Sequence, residues 1–163
     1  MVFESAIGSI PASGYLCGNG NSTYSNAARV APSSYSPILS TTGTAPTTLT
    51  FSTQFGRYQQ IDGVIFFSAN VVVSGFVLGL GTGNLTLSLP VTAGSFSPAG
   101  ILTVQCQNTT LGVTTQSLNG NIASGANVMT FSQTITIAGI TPIPLSNLSA
   151  TSIITVTGMY FIT

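Results

Sequence analysis

The sequence has almost no charge. Its 163 residues contain two Lys or Arg, two Asp or Glu and no His, so charged residues make up 2% of the chain. An ordinary soluble chain has about a quarter. Neutralising the phosphates of a nucleic acid requires several Lys or Arg side chains, and attraction to an anionic membrane requires a polybasic segment. The sequence therefore predicts no nucleic-acid partner and no electrostatic attachment to membranes.

The scarcity of titratable side chains also limits chemistry. The charged residues are Glu4, Arg29, Arg57 and Asp62. General acid–base catalysis needs a group that titrates near the working pH, and His, the usual choice, is missing. A Ser nucleophile would have no base to activate it, and a metal site needs a cluster of His, Cys, Asp or Glu. We therefore expect no catalytic residue, no metal site and no cofactor, in a protein that is not an enzyme.

Cysteine is scarce as well. The two cysteines are Cys17 and Cys106, and Cys106 falls on the apolar face of an alternating segment. One interpretation is a buried free thiol, because free Cys packs as a small apolar residue. The other is a disulfide between Cys17 and Cys106, which would join the N-terminal part of the chain to the rest. The sequence leaves both interpretations open.

Apolar residues, in contrast, make up 44% of the chain. Disorder usually accompanies low hydrophobicity and high net charge, so this composition predicts a folded domain with a surface of Ser, Thr, Asn, Gln and Gly. A net charge near zero favours contact between copies. We therefore predict that the protein assembles with itself, and the alternative is a monomer from a saline or extracellular environment.

An uncharged run at 64–81 is long enough to be considered as a membrane span. Its apolar residues alternate with others, and Ser, Asn and Gly interrupt it. One face carries Ile65, Phe67, Ala69, Val71 and Val73. A period of two is typical of a half-buried strand, so we predict a strand here and no membrane span.

Similar alternation recurs along the chain, and no segment has a helical stripe. Asp62 and Gly63 separate two alternating segments, and this dipeptide predicts a type I′ hairpin turn because both residues tolerate a positive φ. Many short strands with Gly and Pro turns predict an all-β fold, which we expect to be an antiparallel, jelly-roll-like β-sandwich. The alternating segments are 47–55, 64–73, 85–89, 102–106, 129–137 and 154–162.

The N-terminal quarter of the chain has no clear period. Pro, Gly, Ser and Asn are frequent there, which predicts loop or extended chain. We therefore divide the chain into an extended N-terminal arm at 1–45 and a β-sandwich head domain at 46–163. Tyr15, Tyr24 and Tyr35 lie in the arm. Exposed Tyr can stack on sugars or anchor an interface, so they are candidate surface recognition residues, and the alternative is that they pack the arm onto the sandwich.

Two segments resemble a known viral module. Residues 51–67 read FSTQFGRYQQIDGVIFF, and residues 83–90 read GNLTLSLP. They are similar to the C-terminal head-like β domain of phage tail-fibre proteins and of giant-virus fibre and collagen-like proteins. The residues that carry the resemblance are Gly56, Tyr58, Leu89 and Pro90. The chain departs from the family pattern at Asp62, because the family often places the turn glycine directly after the preceding Ile.

The resemblance implies a homotrimeric β-sandwich at a fibre tip or on a virion surface. Such domains contact other virion proteins and often bind a glycan or protein of the host, and the family has no catalytic residues to carry over. The resulting hypothesis is a viral structural protein, as a fibre or spike head or a capsid-decorating module, that self-assembles and serves in host attachment. The alternatives are a subunit of a cellular extracellular filament and a lectin-like carbohydrate-binding domain, located outside the cell or at its surface.

Overall fold

The computed structural model comprises two compact units, Met1–Ala31 and Pro32–Thr163. In the first unit, β1 (Gly14–Gly18) and β2 (Tyr24–Ala28) form an antiparallel pair. The residues that the structure describes are 14–18, 24–28, 31–95, 100–111, 115–135 and 139–162.

The described residues of the second unit form short and long strands and one turn of 3-10 helix at Leu145–Asn147. The strands, in chain order, are β3 (Ser33–Tyr35), β4 (Leu39–Thr41), β5 (Thr48–Ile61), β6 (Val64–Val77), β7 (Leu85–Ser88), β8 (Gly100–Gln107), β9 (Thr115–Ile122), β10 (Val128–Ile135), β11 (Gly139–Pro142) and β12 (Ile153–Phe161).

These strands form one antiparallel sheet. Its order is β3-β5-β6-β12-β8-β9-β10-β7-β4, and β11 pairs with β10. Residues from β6, near one edge, and from β4 and β7, at the other, belong to a single apolar core. The sheet must therefore curl so that both of its ends face the same interior, and it forms a half-barrel. The predicted all-β antiparallel class is confirmed, whereas the sandwich or jelly-roll arrangement stays a prediction.

The β5–β6 hairpin shows how the sequence produces this sheet. Asp62 and Gly63 join the two strands with φ angles of 46° and 78°, the positive values that a type I′ turn requires. In β6 the odd-numbered residues from Ile65 to Val73 are buried. The uncharged run is therefore a strand with one face in the core. Within the described residues, no helix has the length and apolar character needed to cross a bilayer.

Two strands of the sheet lie inside the segment predicted as an arm. Tyr35 of β3 pairs with Gly56 of β5, and Leu39 of β4 pairs with Leu87 of β7 and is buried. Both strands belong to the compact unit Pro32–Thr163, and the domain boundary at residue 46 stays a prediction. Strands of three residues are too short to show a period, which is why alternation did not indicate them. The function of the residues before Pro32 as an arm stays a prediction.

Candidate functional site

The candidate site is a group of exposed apolar side chains on the convex side of the β5–β6 hairpin and the neighbouring β12. Because side chains alternate along a strand, the burial of Ile65 and Phe67 directs Phe66 outward. The register places Phe66 beside Gln59 of β5 and Met159 of β12. We define the outer face as Phe55, Arg57, Ile61, Phe66 and Phe161, exposed residues of these three strands that the register places on the side opposite the core.

The apolar members of the outer face are about half exposed. The exposed fractions are 48% for Phe55, 46% for Ile61, 44% for Phe66 and 46% for Phe161. Single exposed apolar side chains are common on proteins, but several on adjacent strands form a patch, and such patches mark interaction sites. The outer face therefore has the composition of a contact surface.

Arg57 adds a charge to this apolar surface. Its guanidinium carbon lies 5.4 Å from the centroid of the Phe55 ring, within the range of a cation–π interaction. Asp62 is at the end of the same hairpin. The five steps along the strand from Arg57 to Asp62 span roughly 16 Å at the rise of a strand, which is too far for an ion pair within one chain. Both side chains are exposed.

A shallow groove of about 270 Å³ runs across the outer face beside Arg57 and is open to solvent. Side chains of Pro32, Gln59, Phe66 and Ser68 help to line it. Together with Arg57, they offer a guanidinium, an amide, a hydroxyl and an aromatic ring, which can form hydrogen bonds and stacking contacts. None of the described residues that line the groove has a carboxylate or an imidazole, so these residues offer no base that could activate the hydroxyl of Ser68.

Gly56 and Tyr58, two of the residues that carry the resemblance to fibre head domains, both pack against Tyr35. The ring of Tyr35 lies over Gly56, so close that a Cβ atom on residue 56 would collide with it. Tyr35 also packs edge-on against Tyr58, with ring centroids 6.1 Å apart. Its hydroxyl is buried and has no hydrogen-bond partner among the residues that the structure describes, and burial raises the pKa of this phenol above its ordinary range.

Tyr35 is therefore in packing contact within its own unit. The side chains of Tyr15 and Tyr24 lie outside the described residues, so their role in recognition stays a prediction.

Leu89 and Pro90 directly precede Val91, whose backbone is hydrogen-bonded to the buried Tyr160. Leu89 is buried, and its backbone N–H donates to the carbonyl of Asn127 at 2.9 Å. Two residues later, the backbone of Val91 makes two hydrogen bonds with Tyr160. The Tyr160 hydroxyl donates to the carbonyl of Val91 at 2.7 Å and accepts from the N–H of Val91 at 3.1 Å. Desolvation raises the pKa of Tyr160 to about 12. The segment after β7 is thus fixed to β12, an interior strand of the sheet.

Cys106 is a half-buried thiol in β8 that forms no disulfide with any side chain that the structure describes. Desolvation raises its pKa to about 11, so the reactive thiolate is scarce at neutral pH. The side chain of Cys17 lies outside the described residues, and a disulfide between the two stays a prediction. Among the residues that the structure describes, no group of three His, Cys, Asp or Glu is close enough to hold a metal ion.

Sequence reasoning did not single out the outer face. A signal was present, because Phe66 and Phe67 are adjacent in a strand and one of the two must point away from the core. Whether another element covers the outward ring depends on the arrangement of the whole sheet, and the local pattern of residues contains no information about that.

Comparison with known proteins identifies the fold only. No protein-family model matches the chain, and no characterised protein matches it by sequence. Among solved structures, the Dettilon tailspike protein (gp208) is similar, with a TM-score of 0.64 and 19% sequence identity over 82% of this chain. The matched part is 24% of the tailspike chain, so this protein spans about a quarter of that length.

Proposed function

We propose that this chain is a structural module of a viral tail or fibre, exposed on the virion, where it assembles with copies of itself and presents a surface to the host. The observation that carries the proposal is the tailspike fold, shared over 82% of this chain. It is supported by the independent resemblance of residues 51–67 and 83–90 to fibre head domains.

A role in assembly and recognition, without catalysis, agrees with the chemistry of the described residues. Burial holds the pKa of Tyr160 and Cys106 at about 12 and 11, so both groups are neutral at physiological pH. The motif residues Gly56 and Leu89 make packing contacts. We therefore assign the motif to the scaffold and the function to surfaces.

The proposed assembly is a homotrimer, the state that the family resemblance implies, which contacts other virion proteins. Sedimentation velocity at micromolar concentration tests self-association, and proteomics of virus particles purified from the source tests their content. We expect a discrete oligomer in solution and the chain among the particle proteins. A monomer that is absent from the particles would refute the proposal.

The recognition part of the proposal is tested separately. We expect the purified oligomer to bind host cells, and a glycan array to show whether the receptor is a carbohydrate. Binding to cells that survives removal of their surface glycans would assign recognition to a protein receptor. The absence of binding to any host surface would restrict the module to assembly.

A further inference from the structure

We propose that the outer face of β5, β6 and β12 is the surface through which copies of this chain contact each other, with Arg57 of one copy paired with the partner's Asp62. This inference rests on the proposed function, because it assigns a location to the self-association that the function requires. The occupant of the outer face is a second copy of the same chain.

The composition of the outer face favours a protein partner. Interface cores are enriched in aromatic residues and Arg and depleted of Lys, Glu and Asp, and hot spots are often Trp, Tyr or Arg. The outer face has three half-exposed Phe side chains and one Arg. Arg57 already stacks on Phe55, so its side chain is partly ordered before any contact forms and loses less conformational entropy on binding.

The charges favour a second copy over another protein. Arg57 and Asp62 are exposed, carry opposite charges and lie on one hairpin, yet roughly 16 Å of strand separates them. Neighbouring copies with the same hairpin offer an anion for the cation and a cation for the anion. The whole chain has a formal net charge of +0, so two copies approach without long-range repulsion.

Polar groups on the same side of the sheet would tolerate burial. The side-chain amide of Asn70 in β6 donates to the hydroxyl of Thr155 in β12 at 3.0 Å. These side chains therefore retain a hydrogen bond when water is removed, which avoids the cost of an unsatisfied polar group.

A small ligand fits this surface less well. Ligand sites are typically about 300–1,000 Å³ and enclose most of the ligand surface. The groove on the outer face measures about 270 Å³ and is open to solvent. A flat, partly apolar surface with a shallow groove is more suitable for another protein surface.

The first experiment measures the dissociation constant of the oligomer by sedimentation velocity for the full chain and its variants. Phe66→Gln is expected to weaken association by about tenfold or more, as for an interface hot spot. The matched control is Ile140→Gln, because Ile140 in β11 is also an exposed apolar residue, with 72% exposure, and lies outside the outer face. The control should retain the dissociation constant of the unmodified chain.

The second experiment tests the charge pair. Arg57→Asp and Asp62→Arg should each weaken association, because each places like charges opposite each other, and the double variant should restore it to within about threefold by pairing the exchanged charges. Since Arg at residue 62 must adopt a positive φ, Asp62→Asn is a second variant that preserves the turn and removes only the charge. Circular dichroism and thermal unfolding verify that each variant is folded.

The results separate this inference from the proposed function. If the chain is a particle protein and oligomeric but all outer-face variants associate normally, the interface lies elsewhere and only this inference fails. If the unmodified chain is monomeric and binds an arrayed glycan through Phe66 and Arg57, the outer face is a ligand site and the inference is also overturned. A monomer that is absent from particles contradicts both proposals.

Discussion

The ring of Tyr35 rests directly on the backbone of Gly56 where β3 pairs with β5. Any side chain on residue 56 would occupy the position of that ring, and overpacking of this kind typically costs about 1–3 kcal/mol. We predict that Gly56→Ala lowers the free energy of unfolding by this amount. Urea denaturation at a fixed protein concentration provides the measurement.

The control for Gly56→Ala is a background variant that lacks the Tyr35 ring. In a Tyr35→Ser background the methyl group has space, so the added cost of Gly56→Ala should fall well below its cost in the unmodified chain. Equal costs in the two backgrounds would show that the ring does not determine the need for glycine. The comparison also reports whether β3, a strand of three residues, is held to β5 by this contact.

Tyr160 anchors a loop through a single hydroxyl. It is fully buried, and its hydroxyl both donates to and accepts from the backbone of Val91. We predict that Tyr160→Phe lowers the free energy of unfolding by about 1–3 kcal/mol, because two backbone groups lose their partner while the ring remains. Chemical denaturation measures the loss, and hydrogen exchange should show faster exchange of the Val91 amide.

Tyr58→Phe is the matched control for Tyr160. Tyr58 is a half-buried tyrosine whose ring packs against Tyr35, and its substitution should change stability by less than about 0.5 kcal/mol. An equal effect of the two substitutions would indicate that the Val91 hydrogen bonds contribute nothing specific.

At the scale of elements, the β5–β6 hairpin depends on its two-residue turn. Gly63 has a φ of 78°, which costs a residue with a Cβ atom roughly 1–2 kcal/mol. We predict that Gly63→Ala destabilises the protein by about this amount in urea denaturation. Asp62→Asn is the control, since Asn tolerates the positive φ at residue 62, and it should leave stability nearly unchanged. An equal loss of stability in Asp62→Asn would show that the hairpin depends on the charge of Asp62 as much as on the glycine.

The hairpin is also the element that sequence predicted best. Alternation places Ile65 and Val71 on the buried face, and Asp-Gly predicts the turn, because both signals are local. The joining of β4 to β7 and of β8 to β12 brings together residues far apart in the chain, such as Leu39 with Leu87. No local pattern encodes such pairings, so the curl of the sheet could not be derived.

The candidate site was predictable only in part for the same reason. Adjacent Phe66 and Phe67 require one ring to point outward, and the sequence contains that information. Exposure of the outward ring, and its position beside Arg57 and Phe161, depend on which strands flank β6. The Leu89–Pro90 element was recognised as a motif, whereas its link to Tyr160 through Val91 is a long-range contact that emerged from the fold.

At the scale of the whole molecule, burial of apolar groups and hydrogen bonds must provide the stability, because ion pairs cannot. With no His in the chain, no side chain has an ordinary pKa between about 5 and 8. A protein of this composition lacks the usual means by which moderate pH changes alter stability. This agrees with the proposed exposure on a virion, outside a cell, where pH is not regulated.

The groups with raised pKa values determine where stability is lost. Cys106 rises from 9.0 to about 11 and Tyr160 from 10.0 to about 12 on folding. Above pH 9 the unfolded chain therefore loses protons that the folded chain retains, so the free energy of unfolding falls as pH rises. We predict that the free energy of unfolding is constant between about pH 5 and 8, because no side chain has an ordinary pKa there, and that it declines from near pH 9. Urea denaturation across this pH range provides the measurement.

The control variant is Cys106→Ala, which should shift the onset of the decline towards pH 10, because only the contribution of tyrosine remains. A decline already present between pH 5 and 8 would contradict this explanation.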